Sequence, residues 1–350
     1  MWRLALYGGW SGAQARKQMI SDRVVLDDWH VVAASRDLAA GSLLSVKLMQ
    51  EEVLLWRGSD GQVHAWEDRC PHRGCRFSIG KVKNDKVVCP YHGWEFAGSG
   101  ACTLRPAHPH QEVPKAIQAK PYSVEEHYGL IWVCLGTPAQ PVLDYPEFQD
   151  PKLRQVLCGP YDVAAAPPRV IENFLDQAHF SYVHAGILGL EEKAEVKPYK
   201  VERDVDGCGV VATDLHFWQP QTNALIHGGS DVEYAYRCPR PFTAILTKKP
   251  AAQEGYSESI LLTLQPLDEE HVKAWIILSM TNFEQSEEDL RSFQDTIFLQ
   301  DLPIVENQVP VKLPLDPRAE MPQPADLLSA QYRRWLLDLG LEYGVIRPAA

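Results

Sequence analysis

Two short loops constrain this chain more than anything else in it: CPHRGC at residues 70–75 and CPYHGWEF at residues 89–96. Each offers one cysteine and one histidine, as Cys70-x-His72, sixteen residues, then Cys89-x2-His92. Thiolates and imidazoles at such spacing are metal donors. A structural zinc site usually pairs Cys with Cys and His with His at gaps of about two to five residues. Here the two types alternate, and Cys-x-His is tight for two donors on one zinc ion. Spreading the four over two adjacent metals relieves this, because each loop then gives a thiolate to one metal and an imidazole to the other. Pro71, Pro90, Gly74 and Gly93 suit loops that curl backbone amides around sulfur, although such residues also mark any turn.

Two histidines in place of two cysteines on one iron describe a Rieske [2Fe–2S] centre, whose neutral imidazoles raise the potential to roughly −150 to +300 mV. On these residues the chain resembles the Rieske non-heme iron oxygenases. Cys75 departs from the pattern of some respiratory Rieske proteins, which join their two loops by a disulfide. Tyr91 stands at the equivalent place here, so Cys75 is expected as a free thiol. The six cysteines without metal-like spacing (75, 102, 134, 158, 208 and 238) are expected to be buried small hydrophobes.

An electron carrier would need only the first 140 residues or so. The stretch from Asn173 to His184, NFLDQAHFSYVH, gives the remainder a purpose. It matches the catalytic signature of the resembled family, Asp-x2-His-x4-His, with Asp176, His179 and His184. The two histidines would form most of a 2-His-1-carboxylate triad, the geometry of Fe(II) sites with open positions. On one regular helix Asp176 and His179 would lie about 60° apart and His179 and His184 about 140° apart. His184 is therefore expected at or past a distorted helix end, before Gly186 and Gly189.

The third donor must come from elsewhere. A helix opening at Ser286, three residues before Asp289, carries Leu290, Phe293, Ile297 and Ile304 as its apolar face. Asp301 lies about 40° round from Ile297, on that face, whereas Asp295 and Glu306 point about 160° and 180° away, towards solvent. A carboxylate on a buried face needs a cation, which singles out Asp301. Pro303 is a possible kink just beyond it. The resemblance implies a further role for Asp176: bridging His179 and His92 of a neighbouring subunit in a homotrimer. Asn173 opens the same stretch and joins Asp176 as a catalytic candidate.

Strand-like runs with turn residues fill residues 29–135, and a Pro-rich boundary follows near 138–151. Beyond it, five long apolar runs between 209 and 280 read as one antiparallel sheet, and residues 325–340 as an amphipathic helix stopped by Gly340. The fold expected is α+β. An N-terminal extension (1–26) matching nothing known precedes an all-β Rieske domain (27–140). A catalytic domain (141–350) follows, with a large antiparallel sheet flanked by helices in a helix-grip, or START-like, arrangement. Its cavity should be built from the sheet at 208–280, where Phe217, Trp218, Tyr234, Tyr236 and Phe242 are equally suited to plain core.

Net charge is −12, which argues against nucleic acid as a partner. No apolar run approaches the roughly 20 residues of a membrane span, and residues 1–20 are too mixed for a signal peptide, so a cytoplasmic protein is expected. Residues 69–120 hold nine basic and three acidic residues, a local +6 that suits either an acidic electron donor or an acidic face of the same or a sister subunit.

The resemblance implies a terminal oxygenase of the smaller branch, which includes N- and O-demethylases and saxitoxin-type hydroxylases. Its cofactors would be the [2Fe–2S] cluster and one mononuclear Fe(II). It would use O2 and electrons from NAD(P)H, delivered by a reductase, with or without a ferredoxin, to hydroxylate or demethylate a small organic substrate. The alternatives are a ring cis-dihydroxylating dioxygenase, a Rieske carrier fused to a ligand-binding module, and a zinc-stabilised interaction protein.

Overall fold

The computed structural model describes residues 20–204, 207–222 and 227–349; most of the N-terminal extension, residues 1–19, lies outside the described residues. Asp22 caps a short helix, α1 (Arg23–Leu26), by accepting from the Val24 amide. Its other carboxylate oxygen accepts from the amides of Glu342 and Tyr343, tying this segment to the C-terminal part of the chain.

The first half is all β. Strands β1 (His30–Ala34), β2 (Leu43–Leu48), β3 (Glu51–Arg57) and β4 (Val63–Glu67) are completed after the metal loops by β9 (Pro121–His127) and β10 (Leu130–Cys134). They form one antiparallel sheet in the order β1-β10-β9-β4-β3-β2. The intervening β5 (Lys81–Val82), β6 (Val87–Val88), β7 (Glu95–Phe96) and β8 (Cys102–Leu104) make a small sheet that carries the two loops.

The second half is one seven-stranded antiparallel sheet: β11 (Arg154–Val163), β12 (Lys200–Arg203), β13 (Val210–Gln221), β14 (His227–Arg240), β15 (Thr243–Pro250), β16 (Glu258–Pro266) and β17 (Val272–Met280), in the order β11-β17-β16-β15-β14-β13-β12. Sequence reading missed β11. Its Gly159-Pro160 step coincides with a shift of register against β17, so the apolar alternation is broken midway.

Side chains alternate across a strand, and the two faces of this sheet have different tasks. Ile245, Leu261, Trp275 and Ile277 pack with Val31, Leu130 and Trp132 of the first domain. Their neighbours Leu246, Ile260, Leu262, Ile276 and Leu278 face a cavity on the other side. That side is covered by α2 (Pro167–Leu175) and α3 (Glu287–Val305). The last helix is α4 (Leu327–Leu339), stopped by Gly340 in the left-handed conformation at φ 80°.

Helix α3 starts as its sequence implies, with Ser286 Oγ accepting from the Asp289 amide. Leu290, Gln294, Ile297, Phe298, Asp301 and Val305 follow at helical spacing along its cavity side. Pro303 is held within the last turn rather than ending the helix. Two details of the expected face are corrected. Ile304 is exposed, because the last turn runs out to a surface groove that Ile304 lines together with Asp176. Asp295 does not face solvent: it is half-buried against β11 and accepts from Tyr161 Oη at 2.6 Å.

Candidate metal centres and substrate cavity

The two cysteine–histidine loops adopt one conformation twice. The Cys70 amide donates to the Cys75 carbonyl and the Gly74 amide to the Cys70 carbonyl, at 2.8 and 2.9 Å. In the second loop the Cys89 amide donates to Trp94 and the Gly93 amide to Cys89, both at 2.9 Å. Both glycines sit at positive φ, 71° and 69°, where a β-carbon would be strained. Each loop thus spans six residues from cysteine to closing carbonyl, with histidine third in one and fourth in the other.

The donors are sorted by depth. Cys70 and Cys89 are buried, His72 is half-buried and His92 is exposed. The imidazoles of His72 and His92 meet with centroids 4.5 Å apart. Trp94 stacks on His72 at 4.2 Å and Tyr91 on His92 at 3.9 Å. Burial pushes the Cys70 thiol up to about 12. Such a thiol keeps its proton unless a cation replaces it, and metal binding makes that replacement. Paired deep thiols and paired shallow imidazoles fit a Rieske cluster, with the histidine side towards the surface. Cys75 is a free, half-buried thiol. Cys208 is also half-buried, so the expectation that all six remaining cysteines are buried holds only for 102, 134, 158 and 238. Cys75 and Cys208 lie in a surface loop and a turn rather than in strands, which is why they stay partly open.

The second cluster of donors forms where α2 ends. The helix stops at Leu175, and Asp176 takes an extended backbone (φ −86°, ψ 134°). His179 then lies on a 3-10 turn, Ala178–Ser181, and His184 on the turn beyond. The break thus comes earlier than helical periodicity implies, and Asp176 and His179 do not share a regular helix face. Their closeness comes instead from a local turn in which Asp176 Oδ1 accepts from the Ala178 amide at 2.8 Å.

Around this turn each imidazole has one nitrogen assigned. His179 Nδ1 lies 3.1 Å from Asp176 Oδ2, and His184 Nδ1 lies 2.8 Å from Gln300 Oε1. Both partners are acceptors, so both Nδ1 atoms carry the protons and both Nε2 lone pairs are left to face inward. The two Nε2 atoms are 3.2 Å apart, and Asp301 Oδ1 lies 3.4 and 3.2 Å from them. That oxygen is buried and takes no hydrogen bond among the described residues. Three lone-pair donors therefore converge with no proton between them, an arrangement that a bound cation would stabilise. Their composition is that of a 2-His-1-carboxylate iron site.

Burial works against the Asp176 carboxylate, but the hydrogen bond from His179 and the amides of Ala178 and His179 outweigh it, and its pKa lies below the ordinary value. Sequence reasoning did not find Gln300. Its only signal was position: it precedes Asp301 on α3.

Beside the triad lies a cavity between the sheet and helices α2 and α3. Phe174, Phe180, Leu188, Ile260, Leu278 and Phe298 give it apolar walls. Of the aromatics considered from sequence, Tyr234 and Tyr236 line it, while Phe217, Trp218 and Phe242 do not. Phe180 links wall to triad, with its ring centroid 5.1 Å from that of His179 and 5.9 Å from that of Tyr234. Asn173 and His179 line both this cavity and the separate surface groove that holds Asp176. Among the described residues, no hydrogen bond or ring contact joins His72 or His92 to the triad of their own chain.

Comparison with known proteins finds relatives for both halves of the chain. Residues 28–120 match the Rieske [2Fe-2S] domain family, and residues 163–341 match the vanillate O-demethylase oxygenase C-terminal domain. Methylxanthine N1-demethylase NdmA of Pseudomonas putida is 33% identical over 320 residues, covering 89% of this chain and 88% of that protein. Probable methylxanthine N7-demethylase NdmC of Pseudomonas sp. (strain TJI-51) is 42% identical over 220 residues, 63% of this chain and 78% of that protein. The structure titled Pseudomonas putida CBB5 NdmA with caffeine superposes with a TM-score of 0.79 at 28% identity, over 90% of this chain and 91% of that one.

The chain belongs to the Rieske non-heme iron oxygenases. Within them it is a terminal oxygenase component and a monooxygenase, using O2 and electrons that pass from NAD(P)H through a reductase. No helix among the described residues is long and apolar enough to cross a membrane.

Proposed function

We propose that this protein removes a methyl group from nitrogen of a small, neutral, methylated heterocycle of the methylxanthine class. The observation that carries the proposal is the position of the apolar cavity, which ends on His179, His184 and Asp301. Its similarity to two methylxanthine demethylases supports the choice of N-methyl over other C–H bonds.

In this reading Cys70, Cys89, His72 and His92 hold the [2Fe–2S] cluster, and His179, His184 and Asp301 hold the mononuclear iron. When bound, these groups supply single electrons and activation of O2. The remaining work falls to the chain. Gln300 and Asp176 fix the tautomers of His184 and His179 and keep both Nε2 atoms aimed at one point. The apolar walls exclude water and hold the methyl group towards the triad. Hydroxylation of N–CH3 gives N–CH2OH, which breaks down to N–H and formaldehyde.

Asp176 has a second task in this reading. With no hydrogen bond or ring contact joining the two centres among the described residues of one chain, electrons cross to the iron from the cluster of a neighbouring subunit in this reading, and the chain assembles as a homotrimer. The half-exposed Asp176 would then bridge His179 and His92 of the partner subunit, with the exposed Ile304 and Met321 of the same groove covered in the contact. Asn173, on the boundary of cavity and groove, would help position Asp176. We divide the chain into an extension (1–26), a Rieske domain (27–140) and a catalytic domain (141–350), and take it to work in the cytoplasm. Its electron donor is a reductase, acting directly or through a ferredoxin.

The test is to supply reductase, NADH and a set of methylxanthines, and to measure O2 uptake, formaldehyde and the N–H product together. Formaldehyde and O2 in equal amounts from at least one compound is the expected result. O2 uptake without formaldehyde from any of them would refute the N-demethylase reading.

A further inference from the structure

The cavity floor contains a feature that its apolar walls do not require. Two cross-strand rows make that floor: Tyr236, Leu246, Ile260 and Leu278 in one, and Tyr234, Lys248, Glu258 and Met280 in the next. The second row places a lysine directly opposite a glutamate. Lys248 and Glu258 are 4% and 5% exposed, and Nζ lies 3.0 Å from Oε2. Lys248 Nζ also donates to the Thr222 carbonyl at 3.0 Å, and Glu258 Oε2 accepts from Tyr256 Oη at 3.0 Å.

An ammonium has three donors, and each carboxylate oxygen can accept. Nζ has used two of its three. Both contacts to the carboxylate fall on Oε2, so Oε1 has no donor among the described residues. Replacing a buried ion pair with apolar residues of similar volume is often neutral or stabilising, so stability gives little reason for this one. Ligand recognition does: both residues line the cavity, and together they present one donor and one acceptor with no net charge.

We propose that Lys248 and Glu258 form a specificity subsite for a neutral edge on which a carbonyl stands beside a ring N–H. Nζ donates to the carbonyl, and Oε1 accepts from the N–H. The proposal deepens the demethylase reading and rests on it for the class of heterocycle. A ring methylated at that nitrogen would set a methyl group against Oε1 and leave a buried acceptor unpaired, and sites built to hydrogen-bond a substrate discriminate strongly against analogues that lack the group. The enzyme should therefore favour a partly demethylated ring over a fully methylated one.

Theobromine and caffeine test this, because theobromine keeps an N–H between two carbonyls where caffeine carries a methyl. Calorimetric titration of the anaerobic holoenzyme should show theobromine binding about 10- to 100-fold more tightly, the worth of one hydrogen bond to a charged group. The paired variant Lys248→Met with Glu258→Leu should bind the two compounds within about threefold of each other. Equal affinities in the wild-type protein, preference for caffeine, or no binding of either would overturn the subsite, and the wild-type comparison decides even if the variant fails to fold. An unchanged preference in a folded variant would overturn it as well. Preference for theobromine with no formaldehyde from either compound would refute demethylation and leave the subsite standing. Formaldehyde without preference would do the reverse.

Discussion

Gln300 accepts from His184 Nδ1 at 2.8 Å, one residue before the carboxylate that faces the same histidine from its other side. One turn of α3 therefore orients an imidazole through one side chain and completes its donor set through the next. Gln300→Leu removes the acceptor and frees the ring to rotate. Affinity for the mononuclear iron should fall about 10- to 100-fold, while the visible spectrum of the cluster stays unchanged. Gln300→Glu keeps an acceptor and should retain most of the iron. Equilibrium dialysis with metal analysis reads both.

The basic region around the loops should steer an acidic donor. Arg69, Arg73, Lys81, Lys83, Lys115 and Lys120 are all exposed and have no acidic partner among the described residues, whereas Arg76 pairs with Glu52 and Lys86 with Glu95. Steering acts chiefly on the association rate and is screened within about 10 Å at 0.1 M salt. Reduction of the cluster by its donor should slow clearly between low and moderate ionic strength. A rate indifferent to salt would assign this face to a contact between subunits instead.

Asp176→Asn separates an electron bridge from a structural turn. The variant should keep both metal centres and its assembly, yet fail to pass an electron from the pre-reduced cluster to the iron in a single turnover with substrate and O2. If Asp176 only stabilises the turn through the Ala178 amide, the asparagine Oδ1 still accepts that bond, and the transfer rate would stay as it was. Stopped-flow oxidation of the cluster distinguishes the two.

Much of this site was legible in the sequence, for identifiable reasons. The cluster loops are local, so spacing alone reveals them. Asp301 stood out because helical phase puts it on the same face as Ile297, and an unpaired acid there needs a cation. The same method failed for Asp176, because it assumed a regular helix through a segment whose backbone turns extended at that residue. It failed for Ile304, because phase tells which way a side chain points but not where the helix leaves the core. Gln300, the Lys248–Glu258 pair and the twofold use of the sheet faces depend on register between distant strands and helices. No local pattern carries that register.

The central claim is that His179, His184 and Asp301 hold the iron at which the substrate reacts, and Asp301→Ala tests it most directly. Asp295→Ala serves as the control: it breaks only the hydrogen bond from Tyr161 Oη, costing on the order of 1 kcal/mol. Iron content, cluster absorption and formaldehyde yield should be measured side by side in both. The account predicts that Asp301→Ala retains the cluster spectrum, loses one iron per chain and forms no formaldehyde, while Asp295→Ala keeps all three. Full iron and wild-type formaldehyde from Asp301→Ala would contradict it.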